Sequence, residues 1–112
     1  FVVTPKRPEA TCFMAEQASQ KGLKAYLYFK GERYIVIHSV RELAVLCSKY
    51  DKGFEKFIEY GMLLDRYYIL TRYPDALAPP AVPYKSYTEK EATEAVNSAR
   101  DIIRFVESSI TD

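Results

Sequence analysis

Two arginines and two aspartates are interspersed with three tyrosines in one short segment, residues 65–75, which reads Asp-Arg-Tyr-Tyr-Ile-Leu-Thr-Arg-Tyr-Pro-Asp. The planar guanidinium group of arginine matches the geometry of a phosphate and also stacks on aromatic rings. Charged groups held among aromatic rings at a helix end are typical of a site that binds or processes an anion. We therefore predict a ligand-binding site that comprises Asp65, Arg66, Tyr67, Arg72 and Asp75.

These residues also have structural interpretations, which the sequence leaves open. An ion pair of Arg66 with Asp65 or Asp75 is one alternative, since arginine among tyrosines also serves buried ion pairs and interfaces. Arg72 lies one turn from Tyr68, so a cation–π contact that fixes the helix end fits the pattern as well as ligand binding does. The tyrosines also suit a core or a dimer interface in which their hydroxyl groups are hydrogen-bonded.

The composition indicates one domain with one core. A chain of 112 residues, of which 48% are hydrophobic, fits a single domain better than two. Sixteen basic side chains oppose fifteen acidic ones, which leaves a formal net charge of +1. Because so small a charge creates no strong overall field, nucleic acid or any other polyanion has to be held by a local cluster.

The sequence predicts no metal site, no cofactor site and no membrane-spanning segment. Cys12 and Cys47 have neither the density of a disulfide framework nor the paired spacing of a zinc site, so we predict reduced, buried thiols with no metal and no cofactor. No apolar run approaches the roughly 18 residues that span a bilayer, and residues 1–8 contain no signal-peptide core. We expect a cytoplasmic protein without a membrane partner.

Hydrophobic periodicity and capping residues predict four helices. The first runs from about Glu9 to Lys30 and ends at Gly31, which acts as its C-terminal cap. Its predicted apolar face comprises Phe13, Met14, Ala18, Leu23, Ala25, Leu27 and Phe29. Residues 34–37 are predicted to form an extended connector, and the capping box from Ser39 to Glu42 starts a short second helix.

The third predicted helix carries the Arg/Tyr segment in its last turn. It runs from near Lys52 to about Arg72, because Pro74 disfavours a helical residue before it. Its predicted buried residues are Phe54, Phe57, Ile58, Met62, Leu63 and Leu64. After a proline-rich loop, a second capping box at residues 88–91 starts the last helix. We therefore predict an all-α fold, an up-and-down helical bundle of four to five helices.

Several motifs, in this order, resemble those of a known family. They are an amphipathic first helix closed by Lys30-Gly31, the segments 38–43 (His-Ser-Val-Arg-Glu-Leu), 65–68 (Asp-Arg-Tyr-Tyr) and 71–75 (Thr-Arg-Tyr-Pro-Asp), and a last helix rich in alanine and isoleucine. Together they resemble the HEPN domain, named for higher eukaryotes and prokaryotes nucleotide-binding. The likeness covers nearly the whole chain, so we expect residues 1–112 to form a single HEPN-like domain that lacks part of its usual first helix.

The resemblance implies a homodimer, often encoded beside a minimal nucleotidyltransferase with which it forms a toxin–antitoxin pair. Many members of the family are metal-independent endoribonucleases, in which an arginine holds the scissile phosphate and a histidine four to six residues later acts in proton transfer. Arg66 matches the arginine, but Thr71, Arg72 and Tyr73 stand where the histidine belongs. The only histidine, His38, precedes the second helix, at a position where a residue of this family usually helps to start that helix.

Two functions of different class therefore remain open. In the first, a dimeric domain binds RNA or nucleotide phosphates at the Arg/Tyr cluster and acts in a toxin–antitoxin pair with a minimal nucleotidyltransferase as its antitoxin. In the second, the dimer is a metal-independent endoribonuclease toxin that cuts RNA in its cleft, with Arg66 and Tyr73 as catalytic residues. The missing histidine favours the first function, whereas the habits of the family favour the second.

Overall fold

Four α-helices make up most of the described chain. They are α1 (Pro8–Phe29), α2 (Val40–Ser48), α3 (Lys56–Arg72) and α4 (Glu89–Ile110), and a 3-10 turn (Lys52–Glu55) precedes α3. The computed structural model describes residues 8–72 and 88–110, and in α3 it describes the side chains as far as Tyr67. Neither of these two ranges contains a strand. The prediction of an all-α helical bundle is confirmed.

The first helix ends in the way that its sequence predicts. Gly31 has a φ of +102°, in the left-handed region that glycine adopts without strain. Its N–H donates to the carbonyl oxygen of Tyr28 over 3.0 Å, and the N–H of Glu32 donates to that of Leu27 over 2.9 Å. These two bonds form the Schellman arrangement, which satisfies the last carbonyl groups of a helix. They close α1 and lead into the connector 32–39, which has no regular secondary structure.

Both predicted capping residues begin their helices. The Thr88 hydroxyl accepts from the N–H of Glu91 over 3.0 Å, and the Glu91 carboxylate accepts from the N–H of Thr88 over 3.1 Å, which is the reciprocal capping box. At the start of α2, the Ser39 hydroxyl accepts from the N–H of Glu42 over 3.0 Å. At this helix start the carboxylate that accepts from further N–H groups belongs to α3 and not to Glu42, as described below.

The core is one contiguous cluster that draws residues from every helix. Helix α1 packs along α4 and also contacts α2 and α3, so it is the central element of the bundle. Small side chains make up much of the buried surface of α1 and α4, and a small volume at a helix contact allows the axes to approach closely. The fully buried small residues of these two helices are Cys12, Ala15, Ser19, Ala92, Ala95 and Ala99.

The buried face of α1 agrees with the predicted one in part: Leu23 and Leu27 are fully buried as predicted. Met14 and Phe29 are 55% and 52% exposed, and Ala25 is also exposed. The buried positions of α1 also include small and polar residues that were not predicted. Among them is the fully buried Glu16, whose carboxylate accepts from the amide of Gln17 over 2.7 Å and from that of Gln20. Close helix approach selects for small volume here, which a search for large apolar residues does not detect.

Two aromatic residues are buried as predicted, Phe54 in the 3-10 turn and Phe57 in α3. Met62 of α3 is 59% exposed, so its predicted burial is wrong.

Candidate anion-binding site

Helix α3 sends three consecutive side chains of the predicted site in three directions. Successive residues of an α-helix are separated by about 100° around its axis. Asp65 faces the N-terminus of α2, Arg66 is exposed, and Tyr67 is only 1% exposed and belongs to the core. Of this triplet, Arg66 is therefore the residue that offers a charged group to a ligand in solution.

Asp65 caps helix α2 from outside that helix. One oxygen of its carboxylate accepts from the N–H of Val40 over 2.6 Å. The other accepts from the Ser39 hydroxyl over 2.6 Å and from the N–H of Arg41 over 3.3 Å. The first N–H groups of a helix have no partner within it and carry partial positive charge, so a carboxylate satisfies both requirements at once. Asp65 thus joins α3 to the start of α2.

Gly61, one turn before Asp65, lets the two helices meet at this point. A Cβ atom at Gly61 would lie 2.4 Å from both the Cα and the N of Arg41 and 2.8 Å from the carbonyl carbon of Val40. Backbone atoms cannot give way as the tip of a side chain does. A glycine at this position is thus required for the backbone of α2 to approach α3 closely enough for Asp65 to reach it.

Arg66 is not paired with its acidic neighbour. Both oxygens of the Asp65 carboxylate are engaged by α2, and no carboxylate among the described side chains forms an ion pair with the Arg66 guanidinium. The structure therefore contradicts the alternative in which Arg66 serves a salt bridge with Asp65. An exposed guanidinium whose donors no described side chain engages is suited to bind a carboxylate or phosphate in a bidentate manner. The alternative partner Asp75 lies outside the described residues.

Tyr67 lies beside Cys12 in the core. Burial raises the pKa of the Tyr67 phenol, the nearby Cys12 and Glu91 raise it further, and the positive charge of Arg66 acts in the opposite direction. Burial and the charge of Glu91 likewise raise the pKa of the Cys12 thiol from its usual 9.0 to about 12, while the Tyr67 hydroxyl opposes them. Both groups are consequently neutral near pH 7. Tyr67 was predicted to contact the ligand, but its phenol is buried and neutral.

Two residues that the sequence pattern did not assign to the site lie at the same junction. Arg41 is exposed in the first turn of α2, and its backbone N–H donates to Asp65, so it is an exposed cation at the start of the helix that Asp65 caps. His38 is exposed and directly precedes Ser39, which binds Asp65. The contact of Asp65 with the start of α2 joins residues about 25 positions apart, so a local sequence pattern does not predict it.

The remaining predicted site residues fall at or beyond the edge of the described chain. Arg72 is the last residue of α3, and its side chain is not among those described. Tyr73 and Asp75 lie outside the described residues. Among the side chains that are described, no group of three or more His, Cys, Asp or Glu residues is placed to hold a metal ion. In the same part of the chain, no helix has the length and hydrophobicity that crossing a membrane requires.

Comparison with protein families decides the affiliation of this fold. The family model described as the HEPN domain matches residues 4–109, nearly the whole chain. The chain belongs to the HEPN domain family. In this HEPN domain, Arg66 stands exposed on α3 beside the capped start of α2. The comparisons with curated proteins and with solved structures found no match.

Proposed function

We propose that this HEPN domain binds the phosphate groups of RNA or of a nucleotide, with Arg66 as the principal contact. The observation that carries the proposal is the exposed Arg66 guanidinium, whose acidic neighbour Asp65 is committed to α2. Arg41 is a second exposed arginine, at the start of α2, where the Asp65 carboxylate balances the partial positive charge of the helix N-terminus. Membership of the family supports a role related to nucleotides or RNA.

The proposal includes the assembly and partner that the family resemblance implies. Two chains form a homodimer, and their Arg66 residues, together with Arg72 and Asp75, line a shared cleft. A minimal nucleotidyltransferase is the antitoxin that opposes this domain in the cytoplasm. Binding requires neither a metal nor a cofactor, because arginine side chains supply the charge that phosphate needs.

The test is binding of a labelled single-stranded RNA, measured by fluorescence anisotropy, to the wild type and to variants. Arg66→Ala is expected to weaken binding at least about tenfold, since a hydrogen bond to a charged group contributes about 1.5–3 kcal/mol. Arg66→Lys is expected to rescue binding poorly, because an ammonium group lacks the planar fork. Arg100→Ala, which removes an exposed arginine of α4, is the control for net charge.

Two results would count against the proposal. One is an Arg66→Ala protein that binds RNA as tightly as the Arg100→Ala control does. The other is an Arg66→Ala protein that unfolds or loses its native oligomeric state, which would make the arginine structural. Circular dichroism and light scattering on the same samples distinguish these two cases.

The position of His38 favours a second candidate function, cleavage of the bound RNA. His38 directly precedes Ser39, whose hydroxyl donates to Asp65, the residue before Arg66, whereas α3 itself contains no histidine. Imidazole is the side chain best suited to proton transfer near neutral pH. In this reaction the 2′-hydroxyl attacks the adjacent phosphate, the 5′-oxygen leaves with a proton, and a cyclic phosphate remains. Arg66 stabilises the charge of the phosphorane.

Cleavage is tested in the presence of a chelator by following RNA of defined sequence and the cyclic phosphate on its products. If the reaction occurs, Arg66→Ala should abolish it, and the residue that supplies the proton transfer is then identified by comparing His38→Asn with Tyr73→Phe. Loss of cleavage with retained RNA binding in only one of these two variants assigns the role. Unchanged RNA after prolonged incubation with the wild type would leave binding as the function.

A further inference from the structure

The connector between α1 and α2 carries the two most exposed large apolar side chains among the described residues. Tyr34 is 91% exposed and Val36 is 79% exposed, whereas Ile35 and Ile37 are partly buried and pack against the core. Alternating exposure is the pattern of an extended chain, in which successive side chains point to opposite sides. Ser39, at the end of the connector, also has extended backbone angles. The two isoleucines thus hold the connector on the bundle, and Tyr34 and Val36 face outward.

The main-chain groups of this connector are available for pairing. In the part of the chain that the structure describes, no backbone hydrogen bond engages an N–H or C=O group of residues 33–37. An extended segment with unpaired N–H and C=O groups is a template on which another chain adds as a β-strand. Residues 34–37 read Tyr-Ile-Val-Ile, and all of these residue types favour strands. The connector therefore has the properties of a sheet edge that lacks its second strand.

Tyr34 holds a backbone conformation that tyrosine rarely adopts. Its φ is +58°, in the left-handed region that favours glycine and asparagine, so a bulky residue at this position costs free energy. The exposed ring recovers little of that cost by packing within the protomer. Strained residues of this kind are concentrated at sites of ligand contact. The ring of Tyr34 is accordingly placed for a contact with another molecule.

A cavity beside Tyr34 offers both apolar and charged contacts. It has a volume of about 310 Å³ and is lined by Tyr28, Gly31, Glu32, Arg33 and Tyr34. The exposed Arg33 guanidinium has no ion pair and no hydrogen bond within residues 8–67 and 88–110. The Glu32 carboxylate, in contrast, accepts a hydrogen bond from the Tyr50 hydroxyl. The charge left without a partner at this cavity is therefore positive, which is complementary to an acidic residue.

We propose that the connector binds an extended segment of a partner protein as an added β-strand. The segment pairs with the backbone of residues 35–37, places an apolar side chain in the cavity beside Tyr34, and brings a carboxylate to Arg33. The connector of a second copy of this chain does not supply that carboxylate, because its Glu32 is engaged by Tyr50. RNA lacks N–H and C=O groups that repeat at strand spacing. The partner is thus a protein segment with apolar and acidic side chains.

The test begins with selection of phage-displayed random peptides on the full chain, and a labelled selected peptide is then titrated by fluorescence anisotropy. We expect the selected peptides to combine apolar and acidic residues. Methylation of alternate main-chain nitrogens of the peptide should abolish binding, because these groups no longer donate to the connector. Arg33→Gln should weaken binding at least about tenfold. Arg100→Gln, which removes an exposed arginine of α4, is the matched control, and Arg66→Ala should also leave peptide binding unchanged.

Tyr34→Asn distinguishes a contact residue from a structural one. Asparagine tolerates the left-handed region, so we expect this variant to keep or raise the Tm while it weakens peptide binding at least about tenfold. Met62→Gln, which removes an exposed apolar side chain of α3, is the control and should bind the peptide as the wild type does. A Tyr34→Asn protein with unchanged affinity for the peptide would overturn the proposal, as would a Met62→Gln protein with an equal loss.

Amide hydrogen exchange of the wild type, measured by NMR, keeps the test valid if a variant folds poorly. Alternate amides of residues 35–37 should exchange rapidly in the free chain and slowly with the peptide, since every second N–H of a strand points to the same neighbour. The proposal is overturned if the library yields no binding peptide, if the peptide does not protect these amides, or if single-stranded RNA protects them equally. Protection that rises with the concentration of the free chain would assign the connector to a second copy and also overturn it.

Discussion

Asp65 and Arg66 are adjacent and oppositely charged, yet they act in different directions. Neighbouring residues of a helix do not face each other, whereas residues three or four apart do. The Asp65 carboxylate accordingly binds the start of α2, and the Arg66 guanidinium is left exposed. At this scale the candidate site consists of one positioning residue and one residue available for ligand contact.

We expect Asp65→Ala to destabilise the protein by about 1–3 kcal/mol, because it leaves N–H groups at the start of α2 without their acceptor. Urea unfolding followed by circular dichroism measures this difference. Glu59→Ala, which removes an exposed acid from the same helix, is the control and should lie within about 0.5 kcal/mol of the wild type. Equal stability of the two variants would mean that the cap contributes little.

The two cysteines should be unreactive in the folded protein. Burial raises the pKa of Cys47 from its usual 9.0 to about 12, as burial and the charge of Glu91 do for Cys12, and the thiolate is the reactive form. Ellman's reagent at pH 8 should label neither thiol in the folded chain and both in urea. Rapid labelling of one thiol without denaturant would contradict the buried, protonated state.

The same raised pKa values predict a loss of stability at high pH. Below pH 9 the thiols are protonated in both the folded and the unfolded chain, so their ionisation does not lower the free energy of unfolding there. Between pH 9 and about 12 the unfolded chain loses these protons while the folded chain retains them, so the free energy of unfolding falls as pH rises. Urea unfolding at pH 8 and pH 10 measures the decrease, which should be smaller in a Cys12→Ala, Cys47→Ala double variant.

At the scale of elements, the contact between α2 and α3 depends on a glycine. Because a Cβ atom at Gly61 would meet the backbone of Arg41 and Val40 at 2.4–2.8 Å, Gly61→Ala must push the helices apart. We expect a destabilisation of about 1–3 kcal/mol, the range typical of overpacking. Thermal unfolding followed by circular dichroism is a suitable measurement.

Gly22→Ala provides the matched control for this prediction. Gly22 also lies within a helix, but a Cβ atom there would meet only the Ile103 side chain, at an ordinary contact distance of 3.4 Å. Alanine is favoured over glycine inside a helix by about 0.5–1 kcal/mol, so this variant should be as stable as the wild type or more stable. Similar losses in both variants would refute the role of close approach at Gly61.

At the scale of the whole molecule, a single core joins the four helices, and adjacent leucines of α3 test it. Leu64 is fully buried in that core, whereas Leu63 packs at its edge. Leu64→Ala is expected to lower the free energy of unfolding by about 2–5 kcal/mol, and Leu63→Ala by clearly less. Equal losses would show that the buried face of α3 is not the one described here.

The assembly of two chains is the other prediction at this scale. Six tyrosines lie between Tyr60 and Tyr87, more aromatic surface than a small bundle buries within itself. Tyr67 is buried within the protomer, and four of the six lie beyond the described side chains. We expect light scattering at micromolar concentration to report twice the chain mass, with the end of α3 and the proline-rich loop in the interface. A protein that stays monomeric as its concentration rises would remove the shared cleft.

The sequence alone determined the end of α1 and the starts of α2 and α4, and it selected Arg66, whereas the predicted third helix begins with a 3-10 turn at Lys52 and is α-helical only from Lys56. Gly31, Ser39 and Thr88 act through hydrogen bonds to residues within five positions, so local sequence is sufficient to predict them. Arg66 was identified because residue type alone establishes that a guanidinium suits a phosphate.

Only the tertiary structure decided which way each charged group faces and which side of α1 is buried. Asp65 caps α2 because Val40, 25 residues away, approaches α3 at Gly61, and hydrophobic periodicity contains no information about such a contact. The buried side of α1 likewise depends on the helices that pack against it, so the small Ala15 is buried while the larger Met14 is exposed. The side-chain volume that fits at a helix contact depends on both helix surfaces, and the sequence of one helix describes only one of them.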